Sequence, residues 1–135
     1  SWVFGLHGKN FVRTMIQLGQ ERPGVRVVND QIGAPTYSAD LARVICDLIP
    51  TEKYGIYHVC NEGALSWAEF AAMIMEKEGL RCKVTPVTTE EYPTPARRPH
   101  NSRMSMEKLK QSGIAPMPSV EDALNRYLSE LEREG

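Results

Sequence analysis

This sequence is short of the marks that usually reveal a chain's chemistry. Gly5 and Gly8 are spaced like part of a Gly-x-Gly-x-x-Gly, but the third glycine is missing, so no dinucleotide fingerprint is complete. No glycine-rich loop ends in Lys-Ser or Lys-Thr, which excludes a triphosphate cradle. None of the five tyrosines has a lysine four residues on, so a Tyr-x-x-x-Lys proton-donor pair is absent. The three cysteines, Cys46, Cys60 and Cys82, are odd in number and far apart. They suit reduced, buried thiols in a cytoplasm, not a disulfide framework, and with no Cys-x-x-Cys or paired histidines no metal site is expected. No apolar run approaches the roughly 18 residues of a membrane span. The opening Ser1–Gly5 lacks the basic region of a secretory leader and an initiator Met, and reads as a start inside a longer protein. There is no excess of charge: 16 basic against 17 acidic residues give a net charge of −1, unlike a nucleic-acid binder.

What is present is ordinary for one globular domain spanning 1–135: 41% hydrophobic and 24% charged residues, with no repeat and no low-complexity tract. Trp2–Phe4 reads as a short strand closed by Gly5. Asn10 is a fitting N-cap for a helix with an apolar stripe at Phe11, Val12, Met15, Ile16 and Leu18, ended near Gly19 and Pro23-Gly24. Val25–Val28 is a β-branched strand that runs into a polar, turn-rich loop, Asn29 to Thr36. Ser38 is the expected cap of a helix carrying Leu41, Val44, Ile45, Leu48 and Ile49, stopped by Pro50. Gly55–Cys60 reads as a central strand, with His58 packed in it. Ser66 with Glu69 forms a capping box before a helix ending at Gly79. Val84–Val87, interrupted by Pro86, reads as an edge strand. Ser105 caps a short helix ended by Gly113, and Ser119 with Asp122 opens a last amphipathic helix whose Glu130–Glu134 end is solvated. Strands alternating with helices predict an α/β fold. His7 follows a strand end, but like His58 it is read as structural, and Trp67 is assigned to the core.

One stretch stands out. Tyr92-Pro-Thr-Pro-Ala-Arg-Arg-Pro-His-Asn-Ser-Arg103 holds three prolines, which forbid a regular helix and suit no central strand. It carries Arg97, Arg98, His100 and Arg103, and no acidic residue. A guanidinium donates two parallel hydrogen bonds and keeps its charge, and proline lowers the entropy lost when a loop closes on a ligand. The functional reading is a clamp for an anionic, phosphorylated small molecule. The alternative is an exposed connector whose arginines keep it solvated.

Taken in order, several pieces carry a resemblance. They are Ser1-Trp2-Val3-Phe4-Gly5, Asn10-Phe11-Val12, Val27-Val28-Asn29-Asp30-Gln31-Ile32-Gly33-Ala34-Pro35-Thr36, Gly55-Ile56-Tyr57-His58, and Tyr92-Pro-Thr-Pro-Ala-Arg-Arg-Pro99 with Asn101-Ser102. The series resembles the C-terminal half of the dTDP-4-dehydrorhamnose reductases, which are extended short-chain dehydrogenases/reductases, and it covers essentially the whole chain. Asp-Gln-x-Gly-x-Pro-Thr and Ala-Arg-Arg-Pro are specific together and weak apart. The resemblance implies the last strands of a Rossmann-type sheet, at Trp2–Phe4 and Gly55–Cys60, and a small substrate-binding lobe around them. It implies an N-terminal half, not in this sequence, that holds NADPH or NADH and the catalytic residues. Trp2 would then lie beside the sugar, Asn10, Gln31 and Thr36 would face the cleft for a dTDP-sugar, and Arg97 or Arg98 would meet the diphosphate. Which residues of this chain touch the cofactor is left open, as is a homodimer. On this reading the chain alone reduces nothing. A second reading is a non-catalytic interaction protein, because the regulatory subunit of methionine adenosyltransferase resembles the same reductases. The undisturbed Arg-Arg-Pro loop favours the reductase.

Overall fold

The structure, a computed structural model, describes residues 1–134. The elements are β1 (Val3–Phe4), α1 (Phe11–Glu21), β2 (Gly24–Val28), β3 (Ile32–Gly33), β4 (Thr36–Tyr37), α2 (Ser38–Leu48), β5 (Leu65–Ser66), α3 (Trp67–Lys77), β6 (Lys83–Val87), α4 (Glu107–Gln111) and α5 (Val120–Glu134). Helices and strands interleave, as the α/β expectation required. The chain divides into two compact units, one made of residues 1–6, 34–63 and 103 onward, the other of residues 7–33 and 64–102.

In the first unit β1 and β4 pair in parallel, Val3 opposite Thr36 and Phe4 opposite Tyr37. The Phe4 and Tyr37 rings stack at 5.5 Å, and Tyr127 of α5 meets Phe4 edge-on at 5.2 Å. The buried Tyr127 hydroxyl donates to the Gly5 carbonyl at 2.8 Å, so its polar end is satisfied inside the core. A second cluster joins Val44, Leu109 and Met117, with Leu48, Tyr57 and Met106 against it. Helix α5 presents Val120, Ala123, Leu124, Tyr127 and Leu128 inward, the stripe its periodicity predicts. The Ser119 hydroxyl accepts from the Asp122 amide at 3.1 Å at the helix entrance.

In the second unit β2 and β6 pair in parallel from Gly24–Lys83 to Val28–Val87, and β3 pairs antiparallel with β5. Pro86 stands opposite Val27 in this two-stranded sheet, where every strand is an edge and the missing N–H is tolerated. Helices α1 and α3 pack on it. Asn10 caps α1 by accepting from the Arg13 amide at 3.1 Å, and the Ser66–Glu69 capping box closes both ways.

Several expectations need correction. Gly55–Cys60 forms no strand: among the described residues no strand runs beside it to complete a ladder, and Ile56 is 80% exposed. His58 is accordingly exposed, not packed. Ser38 is the first residue of α2, and Tyr37 stands at its N-cap with no side-chain cap bond. Residues 29–36 are not all loop, because β3 and β4 lie within them. Gly19 lies inside α1, where an added Cβ would come within 2.7 Å of the Met75 sulfur; close helix approach explains a glycine there, not helix termination. Cys46 is exposed, while Cys60 and Cys82 are buried. Glu130 is more than a solvated face residue, since it accepts a hydrogen bond from the Tyr37 hydroxyl.

Candidate functional site

The second unit contains a cavity of about 310 Å³. Phe11 and Met15 of α1 and Trp67 at the start of α3 line it, with Arg26, Val27 and Val28 of β2, Gln31, and Tyr92, Thr94 and Arg98 of the proline-rich loop. The Phe11 and Trp67 rings lie 4.7 Å apart, and Phe11 is backed by Phe70 at 5.7 Å. The lining thus combines flat aromatic surface with two guanidinium groups. A second cavity of about 440 Å³ lies within the loop itself, lined by Thr89 and residues 93–100. Thr94 and Arg98 line both; Arg97 lines only the second.

The loop is exposed, yet fastened at both ends. At its exit, Ile32 donates to the His100 carbonyl and Ser102 donates back to the Ile32 carbonyl, both at 2.8 Å. At its entrance, the Asn29-Asp30-Gln31 motif does the holding. Asp30 accepts from the Thr89 hydroxyl at 2.5 Å and from the Thr89 amide at 3.0 Å, and the Gln31 amide donates to that same hydroxyl at 3.2 Å. These bonds, the hydroxyl's first, hold the Asp30 carboxyl below its ordinary range. Asn29 accepts from the Ser66 hydroxyl at 2.7 Å, tying the motif to the capping box of α3. Within the loop the Thr94 hydroxyl donates to the Ala96 carbonyl at 2.8 Å. Among the described residues no carboxylate pairs with Arg26, Arg97 or Arg98. Two guanidinia therefore border one small cavity with no neutralising partner, an arrangement that favours an anion.

Of the residues the sequence pointed to, Gln31 and Arg98 line the aromatic cavity, with Gln31 almost fully buried. Arg97 lies one cavity away, and Asn10 is occupied as a helix cap next to Phe11. Thr36, expected to face a cleft, is buried in the first unit, where its hydroxyl donates to the Ser1 carbonyl at 2.6 Å. The Thr36 amide donates to the Trp2 carbonyl at 3.0 Å. Between those two bonds sits Trp2 at φ 52°, the only described non-glycine residue at positive φ. A bulky side chain rarely takes this conformation, and the two Thr36 bonds flank it.

Sequence reasoning missed Phe11, Trp67, Tyr92 and Arg26 as lining residues. Phe11 and Trp67 look like any helix-face aromatics, and nothing local tells which side of a helix opens on a cavity. Arg26 did carry a signal: it is the one charged residue among the β-branched positions of Val25–Val28.

A family model described as RmlD substrate binding domain matches residues 1–133. The spore coat polysaccharide biosynthesis protein SpsK of Bacillus subtilis (strain 168) is 46% identical over 130 residues, covering 96% of this chain and 45% of that protein. The dTDP-4-dehydrorhamnose reductase of Escherichia coli (strain K12) is 39% identical over 142 residues, covering 97% of this chain and 48% of that protein. Among solved structures, a dTDP-4-dehydrorhamnose reductase from Bacillus anthracis str. Ames in complex with NADP superposes with a TM-score of 0.93 at 48% identity, covering 96% of this chain and 46% of that one. The chain thus spans about half the length of the curated relatives it matches.

Proposed function

This chain belongs to the RmlD substrate-binding domain family, and on that premise we propose that it is the substrate-holding portion of a dTDP-4-dehydrorhamnose reductase, with its aromatic cavity taking the nucleotide end of a dTDP-sugar. The observation that carries this is Arg98: it borders the Phe11–Trp67 cavity with no carboxylate partner among the described residues. A pyrimidine offers a flat face for the aromatic lining, and a diphosphate offers oxygens for the guanidinium fork. At about 310 Å³ the cavity is at the lower end for ligand sites, so it suits one end of a dTDP-sugar and not the whole. Gln31 completes the lining, and Arg97 lines the neighbouring cavity. Trp2, flanked by the two Thr36 bonds, is assigned to the sugar.

In the complete protein the reaction is reduction of a keto-sugar nucleotide with NADPH or NADH. The nicotinamide would supply hydride there; the glycine fingerprint and the Tyr-x-x-x-Lys pair are absent from this sequence, so no residue of this chain is assigned to the cofactor. The purified 135-residue chain is expected to give no turnover with NADPH. The non-catalytic alternative is not favoured, because the similar proteins named above carry reductase and polysaccharide-biosynthesis names. A cytoplasmic location accompanies the proposal, in keeping with three unbridged cysteines. Among the described residues no helix is long and apolar enough to cross a membrane. The test is calorimetric titration of a dTDP-sugar into the chain and into Arg98→Ala. Binding that Arg98→Ala weakens supports the assignment; equal binding by both makes the loop a connector.

A further inference from the structure

We propose that Arg26 is a second anion-binding residue of this cavity, meeting a phosphate from the strand side as Arg98 does from the loop; the proposal rests on reading the cavity as a nucleotide site. The alternation of β2 buries Val25 and Val27 and leaves Arg26 on the exposed face. Its guanidinium has one hydrogen bond, Nη2 to the Glu91 carbonyl at a long 3.4 Å, and its other donors are unclaimed among the described residues. That bond sets the head group at the entrance of the loop, beside Tyr92, which lines the cavity with Arg98.

The same molecule shows what arginines with structural duties look like. Arg126 forks onto Asp40 at 2.7 and 2.9 Å and also holds Asp122. Arg43 bonds Asp47 and the carbonyls of Ala115 and Pro116. Arg26 and Arg98 have no carboxylate partner among the described residues, and Arg26 has only the long bond to the Glu91 carbonyl, though both border the same small cavity, where like charges repel. A ligand with one charged group would occupy one fork. Two forks from two elements fit a ligand with two linked anionic centres, as the phosphates of a nucleoside diphosphate are.

The competing role is a strap, in which Arg26 only ties the loop to β2 through the Glu91 carbonyl. Calorimetric titration of thymidine and of dTDP into the wild-type chain, Arg26→Ala, Arg26→Gln and Arg98→Ala separates the two. Glutamine keeps a donor for the Glu91 carbonyl and loses the charge. We expect Arg26→Ala and Arg26→Gln both to weaken dTDP roughly tenfold while thymidine affinity stays within about twofold. Raising the salt concentration should narrow the gap between variant and wild type. The proposal is overturned if Arg26→Gln binds dTDP like the wild type, or if Arg26→Ala weakens thymidine and dTDP by one factor. If Arg98→Ala alone loses dTDP affinity, the nucleotide reading survives and the role of Arg26 does not. If the folded wild-type chain binds neither probe, both readings fall.

Discussion

Each unit of this chain has a three-ring aromatic cluster and arginines, and the two are used in opposite ways. In the first unit the Phe4–Tyr37–Tyr127 cluster is closed: Tyr127 is fully buried, its hydroxyl bonded to Gly5, and Arg126 lies over the Tyr37 ring with its charge met by Asp40 and Asp122. Asn61, also fully buried, accepts from the Tyr37 amide and donates to Asp40 and to the Pro118 carbonyl. In the second unit the Phe11–Trp67–Phe70 cluster opens on a cavity, and the arginines at its border have no carboxylate partner among the described residues. The difference teaches that residue type does not separate core from site here. What separates them is whether the polar donors beside the rings are already engaged within the fold.

The comparison breaks most visibly if the closed cluster is opened. Tyr127→Ala removes a fully buried ring and should cost about 3–5 kcal/mol, read as a shift in the denaturant midpoint. Tyr127→Phe keeps the ring and leaves the Gly5 carbonyl without this donor, so it should cost about 1 kcal/mol.

The Asp40–Arg126 pair comes next. Burial pushes the Asp40 carboxyl up, but the Arg126 guanidinium and the Asn61 amide outweigh it and hold the carboxyl below its ordinary value of 3.8. With the folded value lowered, the pair's stabilisation is complete above the ordinary value and is lost as pH falls through the folded one. Asp40→Asn should cost about 2 kcal/mol near neutral pH, less than a fully buried pair because Arg126 is partly exposed. Stability measured against pH should then fall less steeply below about pH 4 in Asp40→Asn than in the wild type. An unchanged acid limb would mean that the Asp40 carboxyl binds its proton equally well folded and unfolded.

The open cluster should respond the other way round. Arg98→Ala should leave stability within about 0.5 kcal/mol, since the side chain is exposed and holds nothing, yet weaken dTDP-sugar binding roughly 10- to 150-fold. Arg98→Lys restores the charge without the fork and should recover part of the affinity. Arg97→Ala, which touches only the neighbouring cavity, should change affinity by about threefold or less. If Arg97→Ala and Arg98→Ala exchange these effects, the loop presents its other face to the ligand.

Local signals placed part of the helices: the Asn10 cap, the Ser66–Glu69 box and the α5 stripe stand where the spacing puts them, whereas Tyr37 and Met106, not Ser38 and Ser105, stand at the N-caps of α2 and α4. The proline-rich loop was legible because proline and arginine act through their own chemistry. Gly55–Cys60 was not, because an apolar run shows what a strand would bury but not whether a partner strand lies beside it. The roles of Asp30 and Gln31 were also hidden. Their partner is Thr89, 59 residues along from Asp30, and nothing in either stretch declares the other. Trp67 shows the same limit, since a capped helix face reads as core whether or not it meets a cavity.

One experiment puts the two clusters side by side: amide and indole NMR spectra of the chain during titration with dTDP. The Trp67 indole and the amides of Phe11, Val28, Gln31, Thr94 and Arg98 should shift with a single saturating affinity, while those of Asp40, Asn61 and Tyr127 stay in place. Shifts centred on Tyr37, Asn61 and Tyr127 with the Trp67 indole unmoved would contradict this, and would mean that dTDP binds elsewhere than at the open cluster.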